Sequence, residues 1–240
     1  MWGIGRRTTP RLKAVGVNTA YDFTQLSEVY VRREMGITGL RTWRELRGTP
    51  AIEFEVGADA KQSICNSRSF STEIYDRAEL SEQVAKFAAM TAEKLRSQSS
   101  VCSHLTVFAT TNRFKEDAPQ TYSNGLISFT TPTANQRQIV ADAVQVTQRI
   151  FKNGYGYKKA GVIATKIIPA GEVMHSLFED TAAAEREQKI TSTLDTINAT
   201  FGKGTIKLAV QGSGKIKTSS DNQSPHYTTR WSDIPKVSVK

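Results

Sequence analysis

The change of hydrophobic period within residues 63–168 constrains the fold more than any other feature of the sequence. Alternation of apolar and polar residues predicts strands over 63–71, 101–110, 122–130 and 157–168. Two amphipathic helical patterns lie between these strands. The first has its inward positions at Leu80, Val84, Phe87, Ala88, Thr91 and Leu95. The order of elements is therefore β-α-β-β-α-β.

Both helical patterns follow N-cap signals. Asp76 precedes Glu79 by three residues, and Thr133 precedes Gln136 by three residues, which is the spacing of a capping box. The second pattern runs on to a stop at Gly154. These signals predict that the two helices begin just after Asp76 and Thr133.

The predicted fold class of this region is α+β. Two helices pack on one face of a four-stranded sheet and leave the other face open. In the strand over 101–110, Leu105, Val107 and Ala109 lie on one face, whereas Thr106, Phe108 and Thr110 lie on the other. The second set is polar enough to stay in contact with solvent or a ligand.

Residues 1–48 predict a small helical unit. Thr9 and Pro10 are expected to open a first helix with Leu12 and Val15 inward, and Gly16 to end it. A second short helix is expected after Asn18 and Thr19, and a third over residues 40–46. Residues 49–62 read as a linker, and residues 169–240 as a short α/β tail with a helix near 185–199 and a strand over 206–210.

The charge of the chain favours a polyanionic partner. Lys and Arg number 32 against 23 Asp and Glu, a formal charge of +9. Residues 1–57 carry +3, residues 58–170 carry +5 and residues 171–240 carry +1. The basic excess therefore lies in the first two thirds of the sequence.

Several classes of protein are excluded by composition. No apolar run approaches the 18 residues of a membrane helix, and no apolar segment follows Arg6 and Arg7 as a secretion signal requires. Two cysteines and three histidines are too few for a disulfide scaffold or zinc sites, so a reduced, cytoplasmic protein is expected. Residues 209–216 depart from the phosphate-loop pattern at Ala209 and Ile216.

Two segments could contact phosphates directly. The two glycines of the turn Gly3-Ile4-Gly5 have no side chains, so a phosphate can approach the backbone amides of the turn. Arg6 and Arg7 follow the turn directly. The strand segment containing Ser67 and Arg68 offers hydroxyls and a cation. An ordinary tight turn and a solvated edge strand remain the alternatives. No carboxylate pair suited to two Mg²⁺ ions is found.

Four segments of the chain together resemble a known family. They are WGIGRRTTPRLKAVGVNTAYDF, TWRELRG, SRSF and SPHYTTRWSDIP, in that order. The resemblance is to the C-terminal half of Y-family translesion DNA polymerases, in particular the UmuC-type catalytic subunits of bacterial DNA polymerase V. It implies a thumb with a helix-hairpin-helix at 1–48, a DNA-binding little finger at 63–168 and a polymerase V-type tail at 169–240.

The resemblance also implies a function and a site. The expected role is to grip damaged primer-template DNA during SOS translesion synthesis. The expected DNA-binding residues are Gly3, Gly5, Arg6, Arg7, Ser67, Arg68, Thr106 and Thr110. The family's palm and fingers, which bind Mg²⁺, have no counterpart in these 240 residues. The chain alone is therefore expected to contain no cofactor and to be inactive as a polymerase.

Protein partners are the alternative that the resemblance implies. Family members associate with a UmuD-type accessory dimer, a recombinase filament and the sliding clamp. The clamp-binding peptide corresponds to residues 174–178, where the Leu177-Phe178 anchor is present and the family's glutamine is replaced by Met174. An interaction fragment is thus the second interpretation of the sequence.

Overall fold

The computed structural model describes residues 2–54, 60–173, 181–212, 214 and 224–237, with 181–185 described as backbone. The chain divides into two compact units, Met1–Asp59 and Ala60–Lys240. Within the described part of the chain, no helix combines the length and apolar character needed to cross a membrane.

Unit 1 is helical. Its helices are α1 (Thr8–Ala14), α2 (Ala20–Thr24) and α3 (Glu28–Leu46). They enclose a small core of buried side chains, which consists of Leu12, Val17, Phe23, Val31, Leu40 and Trp43. As the sequence predicted, Gly16 ends α1, with a φ of +82° that suits glycine.

Three details of unit 1 differ from the sequence prediction. Helix α1 begins at Thr8, because the Gly5 carbonyl accepts the Thr8 and Thr9 amides and starts the helix before Pro10. Val15 is 51% exposed rather than inward. Helix α3 begins at Glu28 instead of residue 40 and contains a non-helical residue, Gly36.

Unit 2 is built on a four-stranded sheet. Its strands are β1 (Ile64–Ile74), β2 (Ser100–Thr111), β3 (Tyr122–Thr133) and β4 (Tyr157–Pro169). Their order is β1-β4-β2-β3, and neighbouring strands are antiparallel. Helices α4 (Arg77–Ser97) and α5 (Gln136–Ile150) join β1 to β2 and β3 to β4. The predicted β-α-β-β-α-β order and α+β class are confirmed.

The core of unit 2 lies between the two helices and one face of the sheet. The predicted inward residues of α4 are all buried, and so are Leu105, Val107 and Ala109 of β2. Strand β4 adds Ala160, Val162 and Ala164 to the same core. We call this side of the sheet the helix face and the opposite side the open face.

The helix caps were predicted correctly for α4 and wrongly for α5. The Asp76 carboxylate accepts the Glu79 amide at 2.8 Å, as expected for an N-cap. Asn135, not Thr133, caps α5 through the amides of Arg137 and Gln138. Thr133 is the last residue of β3, and its hydroxyl accepts the Asn135 amide.

The tail contacts helices α4 and α5 of unit 2. Helix α6 (Thr181–Phe201) is joined to α4 by Arg96, which donates two hydrogen bonds of 2.6 Å to Asp195. The predicted strand over 206–210 is wrong, since residues 209–211 form a 3-10 turn. Leu208 instead packs against the core of unit 2.

Candidate nucleic-acid interface

The open face is defined by the register of the four strands, because residues paired across antiparallel strands point to the same side. Lys159 and Gly161 alternate with Ala160 and Val162, which lie in the core, so both belong to the open face. Their partners and the next pairs along the strands complete the face, which consists of Cys65, Ser67, Ser69, His104, Thr106, Phe108, Thr110, Tyr122, Asn124, Leu126, Ser128, Lys159, Gly161, Ile163 and Thr165.

The open face is rich in hydroxyl groups and has no carboxylate. Lys159 supplies a cation in the row of paired residues that also contains Ser69, Thr110 and Tyr122. A surface of this kind can donate hydrogen bonds to phosphate oxygens without repelling them. Its chemistry therefore suits the backbone of a nucleic acid.

Two stacked aromatic rings lie on the open face. Phe108 and Tyr122 stack with 6.3 Å between ring centroids, and Phe108 is 8% exposed although it lies outside the helix-face core. Tyr122 and Leu126 are 53% and 61% exposed, so this part of the sheet is open to a ligand.

The structure brings together three of the four residues predicted on the sheet. Ser67, Thr106 and Thr110 share the open face. Arg68 pairs with Ala160, whose side chain lies in the core, and so it lies on the helix side of β1. The Arg68 side chain is exposed there because β1 is an edge strand of the sheet.

Lys159 and Gly161 are two of the open-face residues that the sequence analysis missed. Lys159 could have been found from its alternation with Ala160 and Val162 in a predicted strand. Gly161 allows β1 and β4 to approach closely, because an added Cβ would lie 2.3 Å from the Ser67 Cβ and 2.7 Å from the Asn66 carbonyl oxygen. The requirement for glycine at position 161 can be seen only in the folded structure.

An acidic group at the end of the sheet is neutralised locally. Glu73 accepts from Lys115 at 2.9 Å and from the Tyr75 hydroxyl at 2.9 Å. The hydrogen bond from Lys115, followed by that from Tyr75, lowers the pKa of Glu73. Its negative charge is thus compensated beside the open face.

The predicted hairpin residues lie in unit 1. Gly3 has a φ of +76°, and a Cβ added there would lie 2.9 Å from the Thr42 hydroxyl oxygen, so the turn requires glycine. Gly5 contributes its carbonyl oxygen to the start of α1. Arg6 and Arg7 are exposed.

Two expectations remain predictions. The clamp-binding anchor Leu177-Phe178 lies outside the described residues. No group of three or more His, Cys, Asp or Glu side chains in the described ranges could hold a metal ion.

Two family models match parts of the chain. Residues 61–177 match the impB/mucB/samB family C-terminal domain, and residues 188–237 match a domain of unknown function, DUF4113. The chain is 37% identical over 238 residues to the protein UmuC of Salmonella typhimurium (strain LT2), an alignment that covers 99% of this chain and 56% of that protein.

Two further relatives extend the comparison. The protein ImpB of Salmonella typhimurium is 35% identical over 237 residues, which are 98% of this chain and 55% of ImpB. A DNA polymerase IV of Desulfatibacillum aliphaticivorans is 23% identical over 210 residues, 87% of this chain and 51% of that protein. The chain thus spans about half the length of the curated relatives that it matches.

Proposed function

We propose that this chain, whose residues 61–177 match the impB/mucB/samB family C-terminal domain, corresponds to the C-terminal part of UmuC-type proteins. In this proposal it grips primer-template DNA through phosphate contacts on the open face. The proposal rests chiefly on one observation. The exposed side of the sheet offers hydroxyls, amides and Lys159 but no carboxylate, within a region, residues 58–170, that carries a charge of +5.

Contacts of this kind follow the backbone and not the bases. Ser67, Thr106 and Thr110 would donate to phosphate oxygens, and Lys159 would neutralise one phosphate. Binding should therefore tolerate any sequence and weaken steeply with salt. This is the behaviour that a polymerase needs where it holds the DNA that it copies.

The turn at Gly3 and Gly5 would add a second grip. Arg6 and Arg7 are exposed beside it and carry two positive charges. The resemblance of this segment to a helix-hairpin-helix supports this assignment.

The similarity to UmuC-type proteins supports a role for this grip in DNA damage tolerance. A UmuC-type protein would act in SOS translesion synthesis, with Mg²⁺ held by a palm domain. The described residues offer no matching carboxylates. We therefore propose that these 240 residues bind damaged primer-template DNA without extending it. Primer extension by the purified chain with Mg²⁺ and nucleotides would contradict this.

Fluorescence anisotropy with a labelled primer-template tests the grip. The logarithm of the binding constant should fall linearly with the logarithm of salt concentration, with a slope of roughly −0.9 for each neutralised phosphate. Lys159→Gln should weaken binding and make the slope shallower by about 0.9. Two DNA sequences should give the same result.

The matched control is Lys203→Gln in the tail, which removes the same charge from a side chain that is 90% exposed. It should leave the slope of the wild type unchanged. A slope near zero for the wild-type chain, or equal slopes for the wild type and Lys159→Gln, would contradict the proposal.

A second function, protein binding, is favoured by the last described segment. Asp233 accepts the His226 amide at 3.1 Å and the Ser232 hydroxyl at 3.0 Å, which fixes a turn. On this turn Trp231 is 91% exposed and Tyr227 is 51% exposed. An ordered turn with exposed aromatic rings suits a protein partner.

The candidate partners are a UmuD-type dimer, the sliding clamp and a recombinase filament. Trp231→Ala should abolish retention of whichever of these the wild-type chain retains in a co-precipitation. Failure of the wild type to retain any of the three would contradict this second function.

A further inference from the structure

A small cavity lies at the outer edge of the sheet, between β1 and α4. Its volume is about 170 Å³, and it is lined by Cys65, Asn66, Ser67, Arg68, Phe87, Met90 and Lys94. Two of these lining side chains are cations, and none is a carboxylate. Since β1 is an edge strand, the cavity opens at an edge where backbone groups lack a neighbouring strand.

A buried chain of hydrogen bonds holds one of the cations at this cavity. The Thr91 hydroxyl donates to the Phe87 carbonyl at 2.8 Å, so its oxygen is available to accept the Asn66 side-chain amide at 2.7 Å. The side-chain oxygen of Asn66, Oδ1, then faces away from Thr91 and accepts a hydrogen bond from the Lys94 ammonium at 2.5 Å. Asn66 and Thr91 are 4% and 0% exposed.

The direction of this relay has a chemical consequence. Asn66 and Thr91 are both neutral, so they fix the position of Lys94 without cancelling its charge. Across the described residues, neither Lys94 nor Arg68 forms an ion pair with a carboxylate. Two uncompensated cations therefore flank a cavity large enough for a phosphate group.

We propose that this cavity is a phosphate subsite in which Arg68 and Lys94 together hold one phosphodiester of a DNA strand that runs along β1. This inference rests on the proposed function. DNA is favoured over a free phosphate because Cys65 and Ser67 belong both to the cavity and to the open face, so one strand can contact the two surfaces. Asn66 and Thr91 are positioning residues for Lys94.

The salt dependence of DNA binding by the whole chain tests the subsite. Arg68→Gln with Lys94→Gln should weaken binding about tenfold and make the slope shallower by about 0.9, the value for one phosphate. Two separate phosphates would instead change the slope by about 1.8. Each single variant should change the slope less than the double variant, because the remaining cation still neutralises the shared phosphate.

The relay has its own test. Thr91→Val removes the hydroxyl that orients Asn66 and should weaken DNA binding. Thr91→Ser keeps the hydroxyl and should bind DNA as tightly as the wild type. Circular dichroism melting confirms that both variants are folded at the assay temperature. Equal DNA affinity for the two variants would overturn the role of the relay.

The remaining outcomes separate the two proposals. A wild-type slope for the double variant, with a reduced slope for Lys159→Gln, would overturn the subsite and leave the open face intact. Saturable binding of inorganic phosphate that the double variant loses, with no change in DNA binding, would overturn DNA as the occupant. Failure of the wild-type chain to bind DNA at all would overturn the proposed function and this inference with it.

Discussion

The two faces of the sheet differ although the same four strands build both. On the helix face, Leu105, Val107 and Ala109 are fully buried beneath α4 and α5. On the open face, the intervening Thr106 and Thr110 are only partly buried. Because successive side chains of a strand point to opposite sides, a single alternating sequence encodes a core on one side and a binding surface on the other.

The comparison teaches that stability and binding can be changed separately in this domain. Substitutions on the helix face should alter the free energy of unfolding. Substitutions of the exposed side chains of the open face should alter DNA affinity with little effect on unfolding.

The largest expected contrast comes from one substitution made on each face. Leu105→Ala removes a fully buried side chain and should lower the free energy of unfolding by about 2–5 kcal/mol. Leu126→Ala removes a side chain that is 61% exposed and should change it by only about 0.5 kcal/mol. Urea unfolding of both variants measures the difference. Equal losses would contradict the division of the sheet into two faces.

A smaller loss is expected where the open face is tightly built. Gly161→Ala would place a Cβ 2.7 Å from the Asn66 carbonyl oxygen, and a backbone atom cannot easily move aside. We expect a loss of about 1–3 kcal/mol in the free energy of unfolding. Gly171→Ala is the control, since among the described residues, its chain neighbours aside, no atom lies within 4 Å of its added Cβ. Gly161→Ala as stable as the control would show that β1 and β4 have room to separate.

The buried cysteine of the helix face makes stability depend on pH in the alkaline range. Burial raises the pKa of the Cys102 thiol from its usual 9.0 to about 11. Between these values the unfolded chain releases the thiol proton and the folded chain keeps it. Stability from this group is therefore complete below pH 9 and is lost as the pH rises towards 11.

This loss is measurable as a difference between variants. At pH 10 the contribution of Cys102 should have fallen by about 1.4 kcal/mol relative to pH 8. Cys102→Ala should lack this component, so the wild type should lose more stability than the variant over that range. Parallel pH profiles of the free energy of unfolding would contradict it.

The smallest structural perturbation is the alkylation of the exposed cysteine. Cys65 lies exposed on the open face, whereas Cys102 is buried. Iodoacetamide at neutral pH should therefore modify Cys65 in the folded chain and leave Cys102 intact, as mass spectrometry of peptides would show. Primer-template DNA should slow the reaction at Cys65. An unchanged rate with saturating DNA would place the DNA elsewhere.

The sequence predicted most of the fold of unit 2 because periodicity is a local signal. Helix α4 was placed correctly, since Asp76 is a single strong N-cap before a regular pattern. The N-cap of α5 was predicted wrongly because Thr133 is the last residue of β3, a strand that has a register shift near its end. The predicted tail strand failed because residues 206–210 have no neighbouring strand to pair with in the described sheet.

The candidate site was predicted less completely because it depends on which residues share a face. Ser67 and Arg68 are neighbours in sequence, so a regular strand must place them on opposite sides. The same alternation could have placed Lys159 on the open face. The role of Lys94 could not have been predicted, because its contact with Asn66 spans 28 residues and links a helix to a strand. Such a contact appears only when the fold is known.

Photocrosslinking tests most directly the claim that the open face holds the DNA. In one variant a photoreactive phenylalanine analogue replaces Leu126 on the open face, and in the other it replaces Ile190 on α6. The two original side chains are 61% and 38% exposed. Irradiation with primer-template DNA should crosslink the first variant, in a salt-sensitive manner, and leave the second uncrosslinked. Crosslinking from position 190 and none from position 126 would contradict the account.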